Sequence, residues 1–172
     1  FVTGKLTGVV IYLRICTLLI QLGLSFWLNR ILNRFMAREY AFWISLTFFN
    51  IVPKLIQIPE FGNLQLWFGM ILIFCVLEYD TNPVYAGRLF WILLSGLAMS
   101  MEVLSYPSTL LIVPFFLVYL WIHTGKKGMR NAGVFCLTCV GCGIIWIMSV
   151  LKQISCSEFI RNVGYILSFD LT

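Results

Sequence analysis

The sequence predicts an all-α protein: a polytopic transmembrane helix bundle of about six spans, followed by a C-terminal helix lying along the membrane surface. Three observations predict it. Six apolar stretches approach the roughly 20 residues of helix needed to cross a hydrocarbon core of about 30 Å. Hydrophobic residues make up 60% of the 172-residue chain and charged residues only 11%, with a mean hydropathy of +0.94, more apolar surface than one soluble core of this size can hide. The short links between the stretches carry positive charge at alternate ends. Because lipid offers no hydrogen bonds to an exposed backbone, all the spans are expected to be helices.

The first span covers residues 8–28 and is followed by Arg30, Arg34 and Arg38. The second covers 40–58 and leads through Pro59 and Glu60 into the third at 61–79. The fourth runs over 88–105 after a link containing Asp80, Thr81, Asn82 and Pro83. The fifth, 108–123, is short for a perpendicular crossing, and Pro107 and Pro114 at its start and middle predict a kinked or partly re-entrant helix. A count of five spans is the alternative. Lys126, Lys127 and Arg130 precede the sixth span at 132–151. Beyond it, Ile154, Phe159, Ile160, Val163, Ile166 and Leu167 recur near helical spacing, with Ser157, Glu158, Arg161 and Asn162 between them. That pattern predicts a helix lying on the outer surface rather than a seventh span.

The basic links after the first and fifth spans fall on one side if six spans are right, and the positive-inside tendency makes that side the cytoplasm. Both ends of the chain then face outward. No repeat or low-complexity linker divides the chain, so residues 1–172 are expected to form a single transmembrane domain. The chain opens at Phe1 without an initiator Met or a charged leader, which predicts an internal piece of a longer membrane protein lacking its N-terminal part.

Composition and motifs exclude several functions. The net charge of +5 comes from twelve Lys and Arg placed mostly at segment ends, with no continuous basic face for nucleic acid. Cys136, Cys139 and Cys142 form C-x2-C-x2-C inside an apolar run, without the continuation that iron–sulfur ligation requires. They are expected to serve helix packing, and only Cys156 is expected to meet water. His123, the one histidine, cannot make a multi-histidine metal site and is expected to cap a helix end at the interface. Glu78 and Asp80 are expected to occupy a solvated helix end. No motif supports a metal site, although a divalent metal is one cofactor such a membrane enzyme could take.

The candidate functional residues are charges set where lipid disfavours them. Arg14 lies about six residues inside the first span and Lys54 about four residues before the end of the second, both toward the outer face. Their long stems can snorkel to headgroups, pair within the bundle, or hold an anionic headgroup such as a phosphate. Glu60 sits in the outer link, and Glu102 lies four residues before Tyr106, on the same helical face. These three are the candidate pocket residues, with pairing to Lys54 the plainer role for a carboxylate there.

The stretches TGKLTGVVIYLR, FNIVPKLIQIPEFGNLQLWFGMILI, LSYPSTLLIVPFFLVYLW and IRNVGYILSFDLT resemble the middle of bacterial multi-spanning glycosyltransferases of the GT-C type, the protein O-mannosyltransferase and aminoarabinose transferase group. The resemblance implies an integral enzyme of the bacterial cytoplasmic membrane that moves a sugar from a polyprenyl-phosphate donor at the outer face. It also implies that the essential acid sits in a first external loop preceding this sequence, so no residue of this chain is matched to it and the catalytic residues are unknown. On that reading Arg14 and Lys54 hold the lipid phosphate, while Glu102 and Tyr106 shape the pocket. The alternative is a transporter or flippase for a lipid-linked or polar solute, since prolines beside buried charges also describe a translocation path. A non-catalytic membrane scaffold is the third reading.

Overall fold

A computed structural model describes residues 6–51, 59–81, 85–124 and 128–169. Seven α-helices account for nearly all of them: α1 Leu6–Leu32, α2 Arg38–Phe49, α3 Phe61–Thr81, α4 Tyr85–Ser105, α5 Ile112–Thr124, α6 Gly128–Leu151 and α7 Cys156–Phe169, with a 3-10 turn at Pro107–Leu111 leading into α5. No strand occurs among the described residues. Lys54, Pro53, Lys126 and Lys127 lie outside the described residues, and the side chain of His123 lies outside the described side chains.

Four helices are long and apolar enough to cross a membrane: Gly8–Leu32, Gly62–Thr81, Gly87–Ser105 and Gly128–Leu151. Only 6% of the most apolar window of α6 is buried inside the protein, and Leu137, Ile144, Ile145 and Met148 are exposed along it. A contiguous apolar face of that extent identifies lipid as the surrounding solvent. The chain is an all-α, membrane-embedded bundle.

In the second predicted span the described helix ends early, residues 52–58 lying outside the described residues, and the fifth comes out shorter. α2 stops at Phe49 after 12 residues, about 18 Å of helix against a core of about 30 Å. Its end is tied off locally: the Asn50 side-chain amide donates to the Leu46 carbonyl at 2.7 Å, and Pro53 beyond it lacks the N–H that a continuing helix would need. The fifth segment divides as its prolines dictate. Pro107 opens the 3-10 turn, and Pro114 falls in the first turn of α5, where a missing N–H leaves no intrahelical bond unmade.

In space the helices run α2, α1, α3, α4, α6, α5, each packed on the next, with α7 against α6. Two apolar cores result. Leu24, Ile31, Phe48, Trp67 and Phe74 join α1, α2 and α3. Tyr79, Ile92, Met99, Phe116, Leu120 and Phe135 join α3 to α6. Trp27 bridges the two, its ring 5.2 Å from Phe74 edge-on and 5.7 Å from Trp91.

The α4–α6 contact depends on Gly96. A Cβ there would stand 2.8 Å from Thr138 Cβ and 3.2 Å from the Phe135 carbonyl oxygen. Cys139 reaches the Gly96 carbonyl at 3.4 Å, and Cys136 packs with it against the second core, so the Cys run serves packing as its apolar setting predicts. The glycine that sets the approach lies on α4, whereas Gly133 and Gly143 on α6 face open space.

α7 begins with a reciprocal cap. The Ser155 hydroxyl accepts from the Glu158 N–H, and a Glu158 carboxylate oxygen accepts from the Ser155 N–H, both at 3.3 Å, which satisfies two orphan donors of the first turn. Phe159 then sets α7 against Trp146 of α6 at 6.2 Å.

Candidate functional site

The polar side chains sort to two levels of the bundle. At the end where α1 and α3 finish and α4 begins, the Arg34 guanidinium donates to both oxygens of Glu78 at 2.9 and 3.0 Å and to the Thr81 hydroxyl at 2.9 Å. Glu78 is 6% exposed, so the solvated helix end expected there is instead a buried carboxylate held by a two-pronged ion pair. Asp80 remains exposed and accepts from the Tyr119 hydroxyl at 2.5 Å. Tyr79 accepts from the Asn131 amide at 2.8 Å, and the Arg88 guanidinium lies 5.8 Å above its ring. This level locks α1, α3, α4, α5 and α6 together at the basic end of the bundle.

The second level sits deep in the bundle, where α2 stops. The Gln21 amide of α1 donates to the carbonyls of Phe48 at 2.9 Å and Ile51 at 3.2 Å, adding a second donor to Phe48, which also accepts from the Ile51 N–H, and covering a carbonyl just beyond the end of α2. Its own carbonyl accepts from the Trp67 indole N–H at 2.8 Å. Gln21 of α1 thereby satisfies polar groups of α2, of the turn that follows it and of α3 at once. Outward of it, Thr17, Gln21, Phe49, Asn50, Ile51 and Asn63 line a cavity of about 90 Å³. Thr17 is 5% exposed, and its hydroxyl has no hydrogen-bond partner.

The pairing of α1 with α3 fixes where the predicted site residues stand. Gln21 meets Trp67 across a separation of 46 residues and Arg34 meets Glu78 across 44. Two nearly equal separations so far apart along the helices mean that α1 and α3 run parallel, side by side. The same separation sets Thr17 opposite Asn63, as their shared cavity requires, and Arg14 level with Glu60. Arg14, Thr17 and Gln21, spaced three and four apart, form one stripe of α1, and Asn63 and Trp67 form the matching stripe of α3, with Glu60 just before its first turn. Arg14 is exposed about 10 Å along the helix from Gln21, and makes no ion pair among the described residues. Glu60 is half-buried, with one carboxylate oxygen buried and unpartnered.

Glu102 belongs elsewhere. It is 6% exposed with Oε2 unpartnered, and its Oε1 lies 3.8 Å from where a Gly69 Cβ would stand. The carboxylate leans toward the N-terminus of α4 as helical side chains do, which carries it away from the helix end and into the bundle. Gly69 and Trp67 lie about 200° apart around α3, so Glu102 and the Gln21 cavity occupy different faces of that helix. Tyr106 is exposed, and its N–H donates to the Glu102 carbonyl at 2.8 Å.

No family model, curated protein or solved structure matches the chain. The site therefore stands on its own geometry. Sequence reasoning finds Arg14, Glu60 and Glu102 as misplaced charges but passes over Thr17, Gln21, Asn50 and Asn63, the neutral residues that build the cavity. The available signal is Thr17, Gln21 and Ser25 recurring every four residues through an otherwise apolar run.

Proposed function

We propose that the chain is part of an integral-membrane transferase that takes a sugar from a polyprenyl-phosphate donor at the end of the bundle opposite the Arg34–Glu78 pair. The observation that carries this reading is the level of Arg14, exposed and in no ion pair among the described residues, and Glu60, one of whose carboxylate oxygens is buried and unpartnered among them, above a polar cavity in an apolar bundle. The positive-inside tendency then turns this end outward, because Arg30, Arg34, Arg38, Arg88 and Arg130 belong to the other. At about 90 Å³ the cavity has room for about three waters or a small polar headgroup, below the 300 Å³ or more of a whole-substrate pocket.

In the transfer, the bond between the anomeric carbon and the phosphate oxygen breaks and its electron pair leaves with the phosphate, while the acceptor hydroxyl oxygen bonds to that carbon and its proton passes to a general base. Arg14 stabilises the charge that grows on the departing phosphate, for which its forked donors are suited. Glu60 accepts a hydrogen bond from the acceptor hydroxyl and orients it. Lys54 is assigned a second phosphate contact from its place in the sequence, and Glu102 with Tyr106 shapes the neighbouring face. Replacing Arg14 by Ala in the full chain, with expression matched, abolishes consumption of the polyprenyl-phosphate sugar; unchanged turnover removes Arg14 from the mechanism.

A second reading, a transporter for a polar solute, draws on the end of α2 beside the cavity, since helices that end inside a bundle are a recurrent way to line a translocation path. Solute uptake by proteoliposomes, abolished by Gln21→Leu, would favour it over the transferase.

A further inference from the structure

We propose that the groove between α1 and α2 holds one acyl chain of an anionic phospholipid, whose headgroup rests against Arg30 and Arg38. The groove has a volume of about 260 Å³, and Leu22, Phe26, Phe42, Leu46 and Phe49 supply its apolar walls. Its lining falls at residues 22, 25, 26 and 29 of α1 and at 42, 45, 46 and 49 of α2, so each helix contributes one stripe of matching spacing. Ser25 and Ser45, both buried, spend their hydroxyl hydrogens on the Gln21 and Ala41 carbonyls at 2.8 Å. The middle of the groove therefore asks for nothing polar in an occupant. Leu22, Phe26, Phe42 and Leu46 stay exposed on a face that lipid surrounds, since α1 is long and apolar enough to span the membrane.

The two ends of the groove differ. The chain turns from α1 into α2 between Leu32 and Arg38, so Asn29 and Phe42 mark the basic end, and Leu22 and Phe49 the deep end about 10 Å away. Asn29 accepts from the Asn33 amide at 2.7 Å, which leaves its own amide hydrogens as donors at the basic end. Arg30 follows Phe26 by four residues and Arg38 precedes Phe42 by four, so both stand one turn beyond the groove. Both are exposed, and neither makes an ion pair among the described residues.

Charge selects the headgroup. Arg34 is committed to Glu78, and Glu39 lies about 100° around α2 from Arg38, toward the flank. Two arginines against one glutamate leave a surplus of one positive charge at the mouth, beside the donors of Asn29. A phosphodiester headgroup with one negative charge and acceptor oxygens matches that surplus, as anionic headgroups do at basic clefts between helices on the cytoplasmic side. The volume fits part of one chain, below the 300 Å³ or more of a pocket for a whole small molecule. The site lies at the end of the bundle opposite Arg14 and does not depend on the transferase reading.

The test reconstitutes the full chain in phosphatidylcholine vesicles with a trace of phospholipid carrying a photoreactive diazirine in one acyl chain. The probe bears either a phosphatidylglycerol or a phosphatidylcholine headgroup, and adducts are mapped by mass spectrometry. The phosphatidylglycerol probe labels Phe26, Phe42 and Leu46 about tenfold more than the phosphatidylcholine probe does, and unlabelled phosphatidylglycerol competes with it. Arg30→Gln with Arg38→Gln brings the two probes level, whereas Arg30→Lys with Arg38→Lys keeps most of the preference. Equal labelling by both probes in the unaltered chain would show a surface wetted by bulk lipid and would overturn the proposal. A groove reached by neither probe would show that protein covers it, and an undiminished preference in the double Gln variant would remove the arginines; either result also overturns it. If the double Gln variant does not fold, the two-probe comparison on the unaltered chain still decides.

Discussion

The Trp67 indole donates to the side-chain carbonyl of Gln21 at 2.8 Å, while the amide of the same Gln21 covers two carbonyls at the end of α2. One side chain thus terminates a helix inside an apolar bundle and ties it to two others. Replacement by Leu keeps the volume but strands the Trp67 N–H and the Ile51 carbonyl, and leaves the Phe48 carbonyl with the Ile51 N–H alone. We expect Gln21→Leu to lower stability by about 2–3 kcal/mol, measured by thermal or denaturant unfolding in detergent, with a change in tryptophan fluorescence. Unaltered stability would show that these groups find other partners.

The bidentate pair of Arg34 and Glu78 is asymmetric. Glu78 is buried, whereas the Arg34 side chain is 34% exposed. Glu78→Gln should cost about 1–3 kcal/mol, less than the loss of a fully buried pair because water screens the arginine. The exchange Arg34→Glu with Glu78→Arg should recover part of the loss of each single change, read by a double-mutant cycle. Strict additivity would mean that the two charges do not interact.

Gly96 is the close point between α4 and α6, and Thr138 Cβ is the nearest obstacle to a new methyl group there. Gly96→Ala is therefore expected to destabilise the bundle by about 1–3 kcal/mol through overpacking. Adding Thr138→Gly, which removes that obstacle, should return part of it. If Gly96→Ala proves neutral, the two helices are further apart than described.

Much of this architecture is legible in the sequence because lipid imposes one dominant rule, that a spanning segment be long and apolar. Residues 8–28, 61–79, 88–105 and 132–151 obey it and lie within α1, α3, α4 and α6. The rule does not reveal how far a helix continues inside an apolar run. α2 stops at Phe49 where Gln21, 27 residues upstream of Phe48, covers the Phe48 carbonyl and that of Ile51 beyond it, and that contact depends on the fold. Glu78 reads as a solvated end for the same reason: its partner Arg34 lies 44 residues away. Charges are conspicuous in such a sequence and neutral polar residues are not. Arg14, Glu60 and Glu102 therefore stand out, whereas Thr17 and Asn63 become informative only when α1 and α3 are seen to run in register. The same register places Arg14 level with Glu60 and leaves Glu102 on another face of α3.

The level of Arg14 and Glu60 at one end of the bundle is the point on which the functional reading depends, and paired cysteines test it most directly. In a cysteine-free background in membranes, the pair Arg14→Cys with Glu60→Cys should cross-link with a short bifunctional thiol reagent. The pair Arg34→Cys with Glu60→Cys, about 30 Å apart along the parallel helices, should not. Efficient cross-linking of the second pair, or none in the first, would contradict the parallel register and with it the site.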